Sequence, residues 1–275
     1  RSSDLWSRPA APGMPGGRRG PPQGLASGGS AQYLDRALTG GSRVHDDPLL
    51  ATDAAMAELT ARMLLEVRAI EFRPEQPFIF SSGWASPVYI DCRALISYPR
   101  LRRALTRFAV AKITREIGFE RIEAVAGGET AGIPFAAWIA DALALPLFYV
   151  RKTPKPGGNG SRLDGDPQLG KRVLLVEDLT TDGRSKIDFA DAVRGGGAEV
   201  AHTFVVFFYD IFPGTRGRLE HAGLALHYLA TWRDVLRVAR DGFGFDPGRL
   251  AEVEAFLDDP INWSAAHGGI DRMPG

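Results

Sequence analysis

One stretch carries most of the chemistry in this chain: Val173-Leu-Leu-Val-Glu-Asp-Leu-Thr-Thr-Asp-Gly-Arg-Ser-Lys186. Its four apolar residues predict a buried strand with two carboxylates, Glu177 and Asp178, at the carboxyl end. A run of small polar residues around Gly183 then leads into a helix. Such a loop, Leu179, Thr180, Thr181, Asp182, Gly183, Arg184 and Ser185, can aim several backbone N–H groups at one anion. The hydroxyls of Thr180, Thr181 and Ser185 and the partial positive charge of a helix N-terminus add to this. A phosphate suits the loop. The adjacent carboxylates would repel it, unless the ligand also carries hydroxyls or a developing positive charge. A ribose 5-phosphate meets both conditions, with its phosphate in the loop and its 2- and 3-hydroxyls on Glu177 and Asp178. If C1 becomes oxocarbenium-like, the same acids stabilise it. Any one of these residues alone would read as a solvated turn before a capped helix. The whole set at the end of a buried strand favours a ligand site.

A second set follows the apolar run Leu147-Phe-Tyr-Val150. Arg151, Lys152 and Lys155 are cations, and the stretch from Pro156 to Pro167 is glycine-rich without periodicity. A long irregular loop inside a compact domain is usually functional or disordered. Read without the neighbouring phosphate loop, the three cations are a basic surface cluster.

These sets need elements to hold them. Met56, Leu59, Met63, Val67 and Ile70 fall at helical spacing behind a Thr52 or Asp53 cap. Phe78-Ile-Phe and Val88-Tyr-Ile are short extended runs around a Ser81-Ser-Gly turn. Leu101 to Ile117 suits a half-buried helix. Strands at 123–126, 147–150, 173–176 and 200–208 then alternate with helices at 133–143 and 185–193. Two or three helical segments are expected between Arg216 and Leu257. Strands apolar on both faces, alternating with helices, predict an α/β fold with a mostly parallel central sheet. Ligands bind such sheets at the carboxyl ends of the strands, where both sets stand.

Residues 1–45 are of a different kind, with nine glycines and five prolines. They cannot bury enough apolar surface to offset ordering entropy, and a disordered tail is expected there. Arginines at positions 1, 8, 18 and 19 give only a faint transit-peptide signal. The folded domain is expected over 46–275. Lysine plus arginine and aspartate plus glutamate both number 33, so the net charge is zero and bulk attraction to nucleic acid is not expected. No apolar run is long enough to span a bilayer, and the reading is a cytoplasmic protein. Cys92 is the single cysteine, expected in the core. The histidines show no ligand spacing and no metal ligands are assigned. Gly165 to Lys171 imitates a nucleotide P-loop, but Arg172 stands where a hydroxyl residue is needed and a strand follows instead of a helix.

The Val173–Lys186 segment resembles the diphosphosugar signature of the type I phosphoribosyltransferases. Phe80-Ser-Ser-Gly-Trp-Ala-Ser-Pro-Val-Tyr, Gly127-Gly-Glu-Thr-Ala-Gly-Ile-Pro, Arg151-Lys-Thr-Pro-Lys155 and Leu229-Ala-Thr-Trp-Arg-Asp-Val-Leu resemble, in the same order, segments of the orotate phosphoribosyltransferases. The resemblance implies a type I phosphoribosyltransferase fold with a small hood. It also implies transfer of the 5-phosphoribosyl group from 5-phosphoribosyl 1-diphosphate (PRPP) to orotate, with Mg2+. By the same resemblance Lys155 and Asp178 are catalytic, Arg151, Lys152 and Lys155 meet the diphosphate, and Thr181 touches the base. A homodimer with shared active sites is implied as well.

The chain departs from that pattern at three cations: Ser81 and Ala131 stand where many members have lysine, and Ile211 where many have arginine. A loop histidine common after the last lysine is also absent. Arg73, Arg184 or Glu129 with backbone groups are candidate replacements. The departures keep two alternatives open: transfer to another nucleobase, or a non-catalytic PRPP sensor of the same fold.

Overall fold

The computed structural model describes residues 52–155, 160–166 and 171–272, so the tail expected at 1–45 and parts of the glycine-rich loop lie outside the described residues. Helix α1 (Asp53–Glu66) starts where Thr52 Oγ1 accepts the Ala55 N–H at 3.2 Å. It stops earlier than the apolar spacing predicts. Arg68 takes a left-handed φ of 56° and Ala69 N–H donates to the Leu64 carbonyl, which closes the helix. Ile70 therefore opens strand β1 (Ile70–Phe72) instead of continuing α1.

Two small antiparallel pairs form the hood. β2 (Phe78–Ile79) pairs with β3 (Ala85–Ser86) across the turn at Gly83, whose φ is 88°. β4 (Val88–Ile90) pairs with β1. The two runs that flank the Ser81-Ser-Gly turn thus belong to different ribbons, because Ser86-Pro-Val88 redirects the chain between them. A 3-10 helix (Cys92–Ser97) leads into α2 (Pro99–Glu116).

The main sheet contains β5 (Ala124–Gly128), β6 (Leu147–Val150), β7 (Leu163–Asp164), β8 (Arg172–Thr180), β9 (Glu199–Phe208) and β10 (Ala225–Thr231). Their spatial order is β10-β9-β8-β5-β6-β7, with all neighbours parallel except β6 and β7. The mostly parallel α/β sheet is as expected. Strand β10 is not among the strands expected from the sequence. Its run carries His227 and Tyr228 among apolar residues, and pairing with β9 rather than local pattern makes it a strand. α3 (Gly132–Leu143), α4 (Arg184–Gly195), α5 (Thr215–His221), α6 (Trp232–Gly242), α7 (Pro247–Asp258) and α8 (Pro260–Ala266) complete the described elements.

Alternation along the strands divides the core. Val125, Leu174, Val176, Phe204 and Val206 face a cluster with α1, α2, α3 and α6. Ala124, Ala126, Val173 and Leu175 face a smaller one with α4 and α5. A helix layer on each face buries the central strands, and the loops at the carboxyl ends are left to form the site. Among the described residues no helix is long and apolar enough to cross a membrane, and no three histidine, cysteine, aspartate or glutamate residues gather into a metal cluster.

The C-terminus fastens the hood. Ser264 Oγ accepts the Ala85 N–H at 3.1 Å and donates to the Ile270 carbonyl at 2.9 Å. Ile270 N–H donates to the Gly83 carbonyl at 3.0 Å. Ser264 is fully buried, so Ser264→Ala leaves the Ala85 N–H without its acceptor. That change is expected to cost about 1–3 kcal/mol in a denaturant-unfolding measurement, and an unchanged midpoint would show that the strap carries no stability.

Candidate active site

The loop between β8 and α4 and the loop between β5 and α3 meet beneath the hood. The cavity is lined by Tyr89 to Arg93 from the hood, Glu129 to Ala131 after β5, Lys152 after β6, and Glu177 to Asp182 with Ser185 and Lys186 from β8 and α4. β8 runs to Thr180, so Glu177 and Asp178 lie within the last residues of the strand and not beyond its end. Alternation then separates them. The Glu177 side chain is buried, while Asp178 is half-buried in the cavity.

Glu177 forms a buried ion pair with Lys186 Nζ, which also bonds Ser185 Oγ at 3.0 Å. Both partners are almost fully enclosed. The space for them exists because β5 ends in glycine. A Cβ on Gly128 would collide with the Glu177 carboxylate, and one on Gly132 would lie 2.5 Å from the Val176 carbonyl oxygen. Burial pushes the Glu177 carboxyl above its usual range, against the pull of Lys186. Burial raises Asp178 too, opposed by Lys186 and by the Leu179 N–H. The Cys92 thiol is raised well above normal, again chiefly by burial, so this residue is a core thiol and not a nucleophile.

The loop between β8 and α4 is held from several sides. Gly183 sits at φ 82° as the N-cap of α4. Asp182 Oδ1 accepts the Arg184 N–H at 3.1 Å, and the Asp182 carbonyl accepts Arg218 Nη1 at 2.6 Å. Thr180 Oγ1 is a buried hydroxyl oxygen with no hydrogen-bond partner among the described residues.

The sequence-predicted residues divide in two. Lys152, Glu177, Asp178, Leu179, Thr180, Thr181, Asp182 and Ser185 line the cavity. Arg151, Lys155, Gly183 and Arg184 do not. Arg151 Nη1 is paired with Asp164 Oδ2 at 2.9 Å, Arg184 Nε lies 3.3 Å from Asp182 Oδ2, and Lys155 is exposed. The sequence reading left out Lys186, although it ends the strongest motif. It also left out Asp91 and Arg93, just beyond Tyr89, where the residues quoted for the resemblance stop.

Of the candidate replacements for the missing cations, Arg73 pairs with Glu71 and lies 4.9 Å over the Phe78 ring, away from the cavity. Glu129 does line it, and its Oε2 accepts the Lys152 N–H at 2.7 Å. Ile211 is buried in the core, and the neighbouring Asp210 carboxylate is held by Arg216 at 3.0 and 2.6 Å. No cation stands at that position. The cationic side chains that do line the cavity are Arg93, Lys152 and Lys186.

Lys186→Met removes the partner of a buried carboxylate and is expected to cost about 3–5 kcal/mol of stability. Adding Glu177→Gln should recover a large part of that loss in the same unfolding assay. Additive losses would show that the two side chains are not energetically coupled.

Comparison with known proteins agrees with this arrangement. Residues 98–218 match the family model of the phosphoribosyl transferase domain. An orotate phosphoribosyltransferase of Sinorhizobium medicae is 56% identical over 220 residues, covering 80% of this chain and 95% of that protein. The crystal structure of orotate phosphoribosyltransferase from Aeropyrum pernix superposes with a TM-score of 0.57 at 30% identity, covering 66% of this chain and 98% of that one. The structure of Leishmania donovani UMP synthase gives a TM-score of 0.64 at 26% identity, over 74% of this chain and 42% of that longer chain.

Proposed function

Because the chain belongs to the orotate phosphoribosyltransferase family, we propose that the cavity under the hood is where it transfers the 5-phosphoribosyl group of PRPP to orotate. The products are orotidine 5'-phosphate and pyrophosphate, a step of pyrimidine synthesis. The observation that carries the assignment of the site is the joining of an anion-binding loop to a half-buried carboxylate, Asp178, in one cavity.

The 5-phosphate takes the loop Thr180 to Ser185, where backbone N–H groups, hydroxyls and the α4 N-terminus supply neutral donors. The unpartnered Thr180 Oγ1 supports a ligand that brings acceptors of its own. Asp178 meets the ribose hydroxyls and, across a short gap, the positive charge that develops at C1 as the bond to pyrophosphate lengthens. Glu177, clamped by Lys186, holds the floor beneath it. Lys152 stands beside Glu129 to Ala131 on the wall that meets the diphosphate. Thr181, which also lines the cavity, is assigned to the base in this reading.

The donor set fits magnesium carried in by the diphosphate. Mg2+ keeps several waters and uses one or two carboxylates plus substrate phosphates, not a protein cage. Asp178 is the carboxylate left open to it, since Glu177 is taken by Lys186. When bound, the ion supplies neutralisation of the charge on the leaving pyrophosphate.

Lys155 is exposed and lies off its own cavity. The proposal therefore includes a homodimer in which Lys155 acts in the partner's site. The proposal places the enzyme in the cytoplasm with its charged substrates.

The direct test is the ultraviolet loss of orotate on mixing the protein with PRPP and Mg2+. Loss dependent on both is expected. PRPP binding without orotate loss would favour another base or a sensor. Asp178→Ala should lower kcat about a hundredfold or more with the fold intact, and wild-type turnover would remove Asp178 from the mechanism. Mixing Asp178→Ala and Lys155→Ala proteins after subunit exchange should restore activity if the sites are shared. A mixture no more active than its components would place Lys155 outside the partner's site.

A further inference from the structure

Orotate carries a carboxylate, and the core position at Ile211 offers it no cation. We infer that Arg93 reads that carboxylate, so that specificity for an acidic base comes from the hood wall of the cavity. This rests on the proposed orotate chemistry of the same site.

Three features single out Arg93. It lines the cavity just after β4, on a segment separate from those that carry Lys152 and Glu129–Ala131. Its guanidinium is anchored at one end only: Nε donates to Asp91 Oδ1 at 3.1 Å, and the Arg93 N–H reaches the same oxygen, also at 3.1 Å. Its Nη1 and Nη2 make no hydrogen bond to any described residue, and 61% of the side chain is exposed. An arginine fixed through Nε, with both Nη groups open, presents the two-pronged donor that matches a planar carboxylate.

The other two cations in the cavity are Lys186 and Lys152. Lys186 is buried on Glu177 and Ser185. Lys152 lies on a different segment, after β6, where its backbone N–H donates to Glu129 Oε2 at 2.7 Å. The phosphate loop and Asp178 fix the sugar on the floor between the walls. The base and the diphosphate leave C1 in different directions, so one wall takes each. Lys152 serves the diphosphate wall and Arg93 the base wall.

The test is a comparison of Michaelis constants in both directions of the reaction. In Arg93→Met, KM for orotate and for orotidine 5'-phosphate should rise about tenfold to a hundredfold, the worth of one charge-assisted contact. KM for PRPP and for pyrophosphate should stay within about twofold, which also reports an intact fold. Arg93→Lys should recover part of the loss, because it keeps the charge but not the fork. Asp91→Asn, which weakens the anchor, should move the same two constants by less. A rise confined to PRPP and pyrophosphate would assign Arg93 to the diphosphate and overturn the inference. Unchanged constants would overturn it as well. A wild-type protein that never consumes orotate would instead sink the proposed function, so the two failures are distinguishable.

Discussion

The close approach of two parallel strands sets the terms for everything at this site. β5 and β8 are neighbours, and at their carboxyl ends the Glu177 carboxylate occupies the volume that a side chain at position 128 would fill. A charge in so enclosed a place requires a partner, since isolated burial of an ion is far more costly than a hydrogen bond can offset. Lys186, one turn into α4, is that partner. The pair fixes α4 against the end of β8, and thereby fixes the loop between them. The geometry of the loop between β8 and α4 is thus a consequence of the ion pair beneath it and of the glycines that make room for it.

The charges around the cavity are distributed by function. Glu177 is satisfied internally and Asp178, its neighbour on the strand, turns toward the cavity. Cations come from separate segments, Arg93 just after β4 and Lys152 after β6. The loop between β8 and α4 offers neutral donors, the feature on which the proposed phosphate site rests. Such an arrangement suits a ligand of many negative charges without an excess of fixed positive charge. It also agrees with a chain whose formal charge balances to zero. The hood is held by the C-terminal segment through Ser264, Ile270 and Gly83, so residues far apart in the chain fix the β2–β3 ribbon.

Most of the sheet was legible because its strands are continuous apolar runs between helices. Each run announces its own burial. β10 was not, since its run includes His227 and Tyr228 and owes its form to β9. The same limit applied to α1, where apolar spacing continued through Ile70 but the left-handed turn at Arg68 ended the helix. It applied to the hood, where two adjacent extended runs pair with different partners.

By itself the sequence determined the α/β alternation, the phosphate loop with its two acids, and the family to which these motifs point. These are properties of short contiguous segments, whose local pattern suffices to read them. Only the tertiary structure decided that Glu177 is paired with Lys186, that Arg151 and Arg184 are tied to Asp164 and Asp182, and that Arg93 faces the cavity with open donors. Each of these depends on which side chains from separate elements come within a few ångströms of one another. That follows from strand order and crossing loops, which no single segment encodes.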